Sequence, residues 1–298
     1  MTHPIQEGFI PFRGYKTWYR MVGSQEEAGK YPLLCLHGGP GFPHDYLEPL
    51  EALAGTGRQV VFYDQVGCGN SDIPQDTSLY TVDLFVEEVG VIRNALGLGQ
   101  VHLLGQSWGG ILALEYALTQ PAGLVSLVLA DTGASLHQWA AEANRLVADL
   151  PLDVQEALEC HFAAGTTDSE EYKAAYEVFL CKHVNRLDPA PECLKRGSDK
   201  PGDEVYQTMW GASEIHITGN LKDWDVTSRL EEIHVPTLVL CGRFDEATPN
   251  MAETMHRGIP GSEMVIFENS AHFPHLEETE RYLQVVGGFI DRFETRSK

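Results

Sequence analysis

Ser107 stands at the centre of Gly105-Gln106-Ser107-Trp108-Gly109-Gly110. A serine hydroxyl can act as a nucleophile there if a base and an orienting carboxylate reach it. The apolar run Val101-His102-Leu103-Leu104 precedes it, and the helical pattern Ile111-Leu112-Ala113-Leu114 follows. Strand, sharp turn and helix put such a serine at the top of a parallel sheet, in a strained G-x-S-x-G turn. Side chains in place of the glycines would collide with the neighbouring strand and helix. The helix N-terminus then points partial positive charge at the position of a developing oxyanion.

The acid and the base are expected further along, in the order serine, acid, histidine. Val235-Pro236-Thr237-Leu238-Val239-Leu240-Cys241 reads as a buried strand, and Gly242-Arg243-Phe244-Asp245 follows it. Glu263-Met264-Val265-Ile266-Phe267 reads as another, and Glu268-Asn269-Ser270-Ala271-His272 follows that. Asp245 and His272 therefore sit in loops at strand carboxyl ends, where open α/β sheets gather their ligands. Glu246 is the alternative acid, and Asp245 could instead cap the helix at Thr248-Pro249. His275 is the alternative base, but it stands at a helix start and reads as a surface or cap residue. His37, His44, His102 and His161 read as structural or local pocket residues.

Pro32-Leu33-Leu34-Cys35-Leu36 is an apolar strand ending in His37-Gly38-Gly39-Pro40-Gly41. A glycine-rich loop there can offer a backbone N–H to an oxyanion, so the amides of Gly39 and Trp108 are the two candidate donors. Gly-Pro-Gly is also a plain turn signal.

The elements that must hold these groups alternate. Residues 8–22 look like an opening hairpin, and Gln59-Val60-Val61-Phe62-Tyr63 is a buried strand. Residues 81–96 have helical periodicity, with Phe85, Val89, Ile92 and Leu96 on one face. Leu124-Val125-Ser126-Leu127-Val128-Leu129-Ala130 is another strand. Strands alternating with helices predict a mostly parallel sheet. From 135 to 225 no buried strand is evident; the stretches 139–150, 153–162 and 172–183 are amphipathic helices. The core is therefore expected over 1–134 and 226–298, with a helical cap at 135–225 that covers the serine. Residues 195–203 read as an exposed loop in that cap.

At this point the chain resembles the proline iminopeptidase family of α/β-hydrolases, which are serine aminopeptidases. The likeness rests on His37-Gly38-Gly39-Pro40-Gly41, Tyr63-Asp64-Gln65-Val66-Gly67-Cys68-Gly69, the serine turn, Gly242-Arg243-Phe244-Asp245-Glu246 and Ser270-Ala271-His272. It covers nearly the whole chain. The segment 217–225 looks like the tricorn-interacting aminopeptidase, and the opening Gly8-Phe9-Ile10-Pro11-Phe12 looks like bacterial L-amino-acid amidases. The resemblance implies an α/β-hydrolase fold, with a mostly parallel eight-stranded sheet flanked by helices and a cap inserted between strands 6 and 7. Two glutamates hold the substrate amine in the resembling aminopeptidases. The matching positions are Glu214 and Glu246; without the resemblance Glu214 would be a solvated loop residue. Tyr206 and Trp210 would wall the side-chain pocket or fill the cap core, and Trp108 could contribute to the same pocket. Many members carry arginine where this chain has Val66, a departure that favours broader specificity over strict proline preference.

With 298 residues and 43% apolar content, the chain can bury one sizeable core plus an insertion. A net charge of −22 argues against nucleic acid and anionic membrane as partners. It favours cationic ligands, although solubility alone would account for it. No apolar stretch reaches the roughly 18 residues of a membrane span. The opening Met1-Thr2-His3-Pro4-Ile5-Gln6-Glu7 lacks a signal-peptide pattern. The six cysteines are scattered without metal-ligand spacing, so no metal or cofactor is expected. Cys35 and Cys241 read as packed thiols, and Cys68 as a residue able to line the site entrance. Reduced thiols fit a cytoplasmic location.

These readings converge on a metal-free serine hydrolase. It would release N-terminal proline or small apolar residues from short peptides, or hydrolyse L-amino-acid amides, as a monomer or small homo-oligomer. The alternatives are an esterase or lactonase on the same triad, or a non-catalytic ligand-binding protein. Dehalogenase and epoxide hydrolase chemistry would need an aspartate where Ser107 stands.

Overall fold

Apolar strands and amphipathic helices alternate along most of the chain, and the sheet they build carries Ser107, Asp245 and His272 in loops at one edge. The computed structural model describes residues 3–24, 29–200 and 202–294. Met1 and Thr2 of the N-terminal reading, and Pro201 of the cap-loop reading, lie outside the described residues.

In chain order, β1 (Ile5–Phe12) and β2 (Tyr15–Val22) lead to β3 (Leu33–Leu36) and a 3-10 helix, His44–Thr56. Next come β4 (Val60–Tyr63), α1 (Val82–Ala95), β5 (Val101–Gln106), α2 (Trp108–Leu118) and β6 (Leu124–Ala130). The insertion holds α3 (Leu136–Ala148), α4 (Leu152–Ala164), α5 (Glu170–His183), α6 (Glu192–Ser198) and α7 (Asp203–Met209). It ends in a short antiparallel pair, β7 (Gly211–Ser213) and β8 (His216–Ile217). The chain closes with β9 (Thr237–Gly242), α8 (Pro249–Gly258), β10 (Glu263–Phe267), α9 (Pro274–Glu277) and α10 (Thr279–Ile290).

The main sheet has eight strands in the order β1-β2-β4-β3-β5-β6-β9-β10. Only the β1–β2 and β2–β4 pairings are antiparallel. The chain therefore has the α/β-hydrolase architecture. β3, β4, β5 and β9 are buried along their whole length, which is why they read as continuous apolar runs. Alternate side chains still divide between two faces. Leu34, Leu36, Val61 and Tyr63 pack under α1, α2 and α8, while Leu33, Cys35, Val60 and Phe62 pack under the 3-10 helix and α10.

The insertion leaves and rejoins the core at one point. Ser135 and Asp225 form an isolated antiparallel bridge, flanked by Leu136 N to Trp224 O at 2.9 Å and Val226 N to Ala134 O at 2.9 Å. Its α3–α5 layer has its own apolar cluster around Leu146, Leu158, Tyr172 and Phe179. Serine caps begin two of these helices: Ser135 accepts from Gln138 N and Ser169 from Tyr172 N.

Three features depart from the sequence reading. The 3-10 helix falls outside the sequence reading, although Leu47, Leu50 and Leu53 recur every third residue and are buried. β7 and β8 are too short to show alternation. Residues 195–203 are not simply a loop, because α6 covers the first part and its Leu194 and Gly197 are buried against the core. Among the described residues, no helix is long and apolar enough to cross a membrane.

Candidate active site

Six parallel strands end at one edge of the sheet, and the loops that leave them meet there. Ser107 follows β5 with φ 56° and ψ −125°, a conformation L-residues rarely adopt. The surroundings over-determine it. Ser107 N donates to Ala130 O at 3.0 Å, and Ser107 O accepts from Thr132 Oγ1 at 2.8 Å and Gly110 N at 2.8 Å. A Cβ on Gly105 would lie 2.0 Å from Gly109 O, and one on Gly109 would lie 2.2 Å from Leu36 O. Only glycine lets α2 approach β3 and β5 this closely.

His272, after β10, presents Nδ1 to Asp245 Oδ1 at 2.7 Å. Asp245, after β9, also accepts from Ala247 N at 2.9 Å on the same oxygen. With the carboxylate accepting, Nδ1 carries the proton and Nε2 is the basic nitrogen. No hydrogen bond joins Ser107 Oγ to His272 among the described residues; such contacts often tighten only in the substrate complex. The last turn of α5 holds both loops: Glu246 N donates to His183 O at 3.0 Å and His272 N to Val184 O at 3.1 Å.

The serine and histidine open into a cavity of about 560 Å³, whose lining includes Gly39, Tyr206, Glu214 and Glu246. Glu214 stands at the turn of the β7–β8 pair. Its Oε1 accepts from Tyr206 Oη at 2.8 Å, and its amide donates to Tyr176 Oη at 3.0 Å. Burial raises the Glu214 carboxyl above its ordinary value, with the Tyr206 bond and His272 opposing. Glu246 is fully buried, 3.8 Å from His272 Nε2 through Oε1. Burial, then the negative charges of Glu214 and Asp245, push its carboxyl well up. Its Oε2 is buried without a hydrogen-bond partner. The cavity thus faces two repelling carboxyls that a cation would satisfy.

Gly39 has φ 106°, and a Cβ there would lie 2.5 Å from the amides of Gly41 and Phe42. Neither Gly39 N nor Trp108 N donates to another protein group among the described residues. Both are thus available as the expected pair of oxyanion donors. The Trp108 ring does not line the cavity. It is fully buried, edge-on to Phe85, and its Nε1 donates to Gln65 Oε1 at 2.8 Å.

Several other residues are placed differently from expectation. Trp210 is fully buried in the core against Trp139, ring centroids 4.9 Å apart, and is absent from the cavity lining. Trp139 rather than Trp210 packs against the His272 ring, at 6.4 Å. His275 is not a surface residue: it is buried, with Nε2 3.2 Å from Tyr46 O, and burial pushes it down to about 3. Cys68 is buried and absent from the cavity lining, its Sγ donating to Gln65 O. Val66 is also buried away from the cavity, so its departure from the family pattern acts through no direct contact there.

Sequence reasoning missed Tyr46 and Gln106. Tyr46 Oη accepts from Gly38 N at 2.7 Å and donates to Gln106 Oε1 at 2.5 Å, while Gln106 Nε2 donates to His272 O at 3.0 Å. This chain of bonds ties the glycine loop, the serine turn and the histidine loop together. Gln106 was visible as the residue before the serine; Tyr46 carried no signal. Among the described residues His44, Asp45 and Glu48 bring possible metal-ligand atoms within 4.8 Å of one another. Their bonds are already taken: His44 Nδ1 faces Asp64 at 2.7 Å, Lys200 reaches Asp45 at 2.6 Å, and Arg196 pairs with Glu48.

A family model described as the alpha/beta hydrolase fold matches residues 31–279. A proline iminopeptidase of Heyndrickxia coagulans is 46% identical over 286 residues, spanning 96% of this chain and 98% of that protein. A proline iminopeptidase of Clostridioides difficile (strain 630) is 42% identical over 290 residues, spanning 96% and 98%. The crystal structure of proline iminopeptidase from Mycobacterium smegmatis matches with a TM-score of 0.91 at 39% identity, covering 97% of this chain and 98% of that one. A common fold alone would account for the sheet, but these relatives are 39–46% identical and span nearly the whole length of both chains, the inserted helices included. The chain belongs to the proline iminopeptidase family of α/β hydrolases.

Proposed function

We propose that this chain is a serine aminopeptidase that releases N-terminal proline, or a small apolar residue, from short peptides and amino-acid amides. The observation that carries the reading is the pair Glu214 and Glu246, aimed at the same cavity as Ser107 and His272, with Glu246 Oε2 unpartnered. A protonated substrate amine between them gains charge-assisted hydrogen bonds that a neutral ester or lactone cannot make. The cap, 135–225, supplies Glu214 and Tyr206; the core, 1–134 and 226–298, supplies the rest. Tyr206 walls the cavity while fixing the Glu214 carboxyl.

With the amine anchored, the scissile carbonyl is held beside Ser107. His272 Nε2 takes the proton from Ser107 Oγ as Oγ attacks the carbonyl carbon. Asp245 orients the ring and stabilises the imidazolium. The amides of Gly39 and Trp108 hold the oxyanion. His272 gives its proton to the leaving nitrogen, and the C–N bond breaks to leave an ester on Ser107. Water, losing a proton to Nε2, attacks that ester. The tetrahedral intermediate collapses, freeing the amino acid and returning the proton to Oγ.

The test compares hydrolysis of prolyl, alanyl and phenylalanyl arylamides with that of their N-acetylated forms. Turnover confined to the free-amine forms, with prolyl leading, is the expected result. Equal turnover of acetylated forms, or of simple esters alone, would remove the role given to Glu214 and Glu246.

A further inference from the structure

We propose that Asp131, at the end of β6, is a positioning residue that holds a proton on Oδ2 and donates it in a hydrogen bond to Oδ2 of Asp245. The inference rests on the reading of Asp245 as the acid that orients His272.

The geometry starts from two adjacent strands, β6 and β9. Asp131 N donates to Leu240 O at 2.8 Å, and Gly242 N donates to Asp131 Oδ1 at 3.2 Å. Those bonds fold the Asp131 side chain towards the loop that carries Asp245. Asp131 is fully buried and Asp245 nearly so. Each carboxyl has one satisfied oxygen: Oδ1 of Asp131 takes Gly242 N, and Oδ1 of Asp245 takes Ala247 N and His272 Nδ1. Each also has one buried oxygen, Oδ2, without a donor. The two side chains lie within hydrogen-bonding reach of each other.

Two ionised carboxylates in that contact would repel and leave both outer oxygens bare, deep in the protein. One proton between them converts the clash into a short O–H···O⁻ bond that satisfies both. Its place follows from the donors. Asp245 has two N–H groups supporting its negative charge, whereas Asp131 has one. Among the described residues the groups facing Asp131 include Asp245 after β9, Glu277 of α9, Tyr46 of the 3-10 helix, Tyr282 of α10 and the Cys241 thiol of β9, none of them a cation. Burial, then the charge of Asp245, raises the Asp131 carboxyl well above its usual range. Asp131 also has φ 51°, a backbone conformation that non-glycine residues adopt at a cost and keep where the surroundings require it.

The bond has two effects on the triad acid. It fixes the plane of the Asp245 carboxylate, so that Oδ1 stays on His272 Nδ1. It also draws electron density from Asp245, which keeps the proton on the imidazole when His272 becomes doubly protonated.

Asp131→Asn provides the test, because its amide can keep both hydrogen bonds while it cannot ionise. If Asp131 is already neutral, the substitution changes no charge beside His272. The acid limb of the kcat/KM–pH profile then moves by less than roughly 0.3 unit. A fall of about one unit or more would mean that a negative charge had been removed, and would overturn the proposal. Asp131→Ala, which deletes the donor, should lower kcat by roughly ten- to a hundredfold, with Asp131→Asn recovering much of the loss. A folded Asp131→Ala protein with wild-type kcat would refute the positioning role. Infrared difference spectra of wild type against Asp131→Asn should show a protonated-carboxyl band that the variant lacks; its absence overturns the proton assignment. That last readout needs no turnover. Failure of Asp245 as the triad acid would instead appear as full activity in Asp245→Asn, so the two failures are distinguishable.

Discussion

Glu88 is buried in the middle of α1, accepting from Thr17 Oγ1 at 2.5 Å and from Val66 N at 3.0 Å. Burial pushes its carboxyl up to about 8, against those hydrogen bonds, from the 4.5 of a free glutamate. A folded-state value above the unfolded one means that its contribution to stability is whole below about pH 4.5 and lost as pH rises through 8. Glu88→Gln removes that titration while keeping an acceptor. Thermal melts at pH 5 and pH 9 should show the variant losing less stability between them than wild type does, by on the order of a few kcal/mol. An identical decline in both proteins would show that Glu88 does not ionise in this interval. Residue types were legible in the sequence where chemistry fixes their order, as with Ser107, Asp245 and His272. What a ring or thiol faces was not. Trp108 and Trp210 turn inward, and His275 and Cys68 are buried, because neighbours distant in the chain decide those directions.

At the scale of elements, strand–turn–helix punctuation was readable because parallel strands buried on both faces must be apolar throughout. The strand read at 263–267 is β10, and the helical periodicity read over 81–96 covers α1, whose start the sequence reading did not tie to the Thr81 hydroxyl that accepts from Leu84 N. The β7–β8 pair was invisible, since three residues against two cannot display a period, yet its turn is what positions Glu214. The α5 carbonyls that hold Glu246 and His272 were equally hidden, because the helix is distant in sequence from both. The packing of α2 makes a paired prediction. Gly109→Ala drives a Cβ into the carbonyl of Leu36, backbone that cannot yield, and should destabilise the protein by roughly 1–3 kcal/mol. Gly90→Ala, in α1 with nothing within 4 Å, should stabilise it by about 0.5–1 kcal/mol. Denaturant midpoints of the two variants read both signs; a shift in the same direction for both would contradict the contact assignment.

For the molecule as a whole, the net charge of −22 sets a long-range field. A substrate that must arrive with a protonated amine is drawn in by it, and salt weakens the attraction. For a free-amine arylamide, kcat/KM should fall as ionic strength rises from about 10 to about 150 mM, while kcat stays level. A salt-independent kcat/KM would show that the field plays no part in capture. Helical periodicity made α3, α4 and α5 legible, whereas the ties of this stretch to the core, through Lys200 on Asp45 and Arg196 on Glu48, were not readable from spacing.

The bridge between Ser135 and Asp225 gives the enzyme a modular character. The chain crosses into the cap and back at neighbouring points, so the whole layer can be transplanted through two adjacent seams, as inserted domains generally can. Such a graft would exchange Tyr206 and the Glu214 half of the proposed amine clamp, and keep Ser107, Asp245, His272 and Glu246 where the incoming layer again offers the two carbonyls, of His183 and Val184, that hold the Glu246 and His272 loops. Selectivity could thus diversify by recombination across one narrow neck while the hydrolytic chemistry beneath it is inherited unchanged.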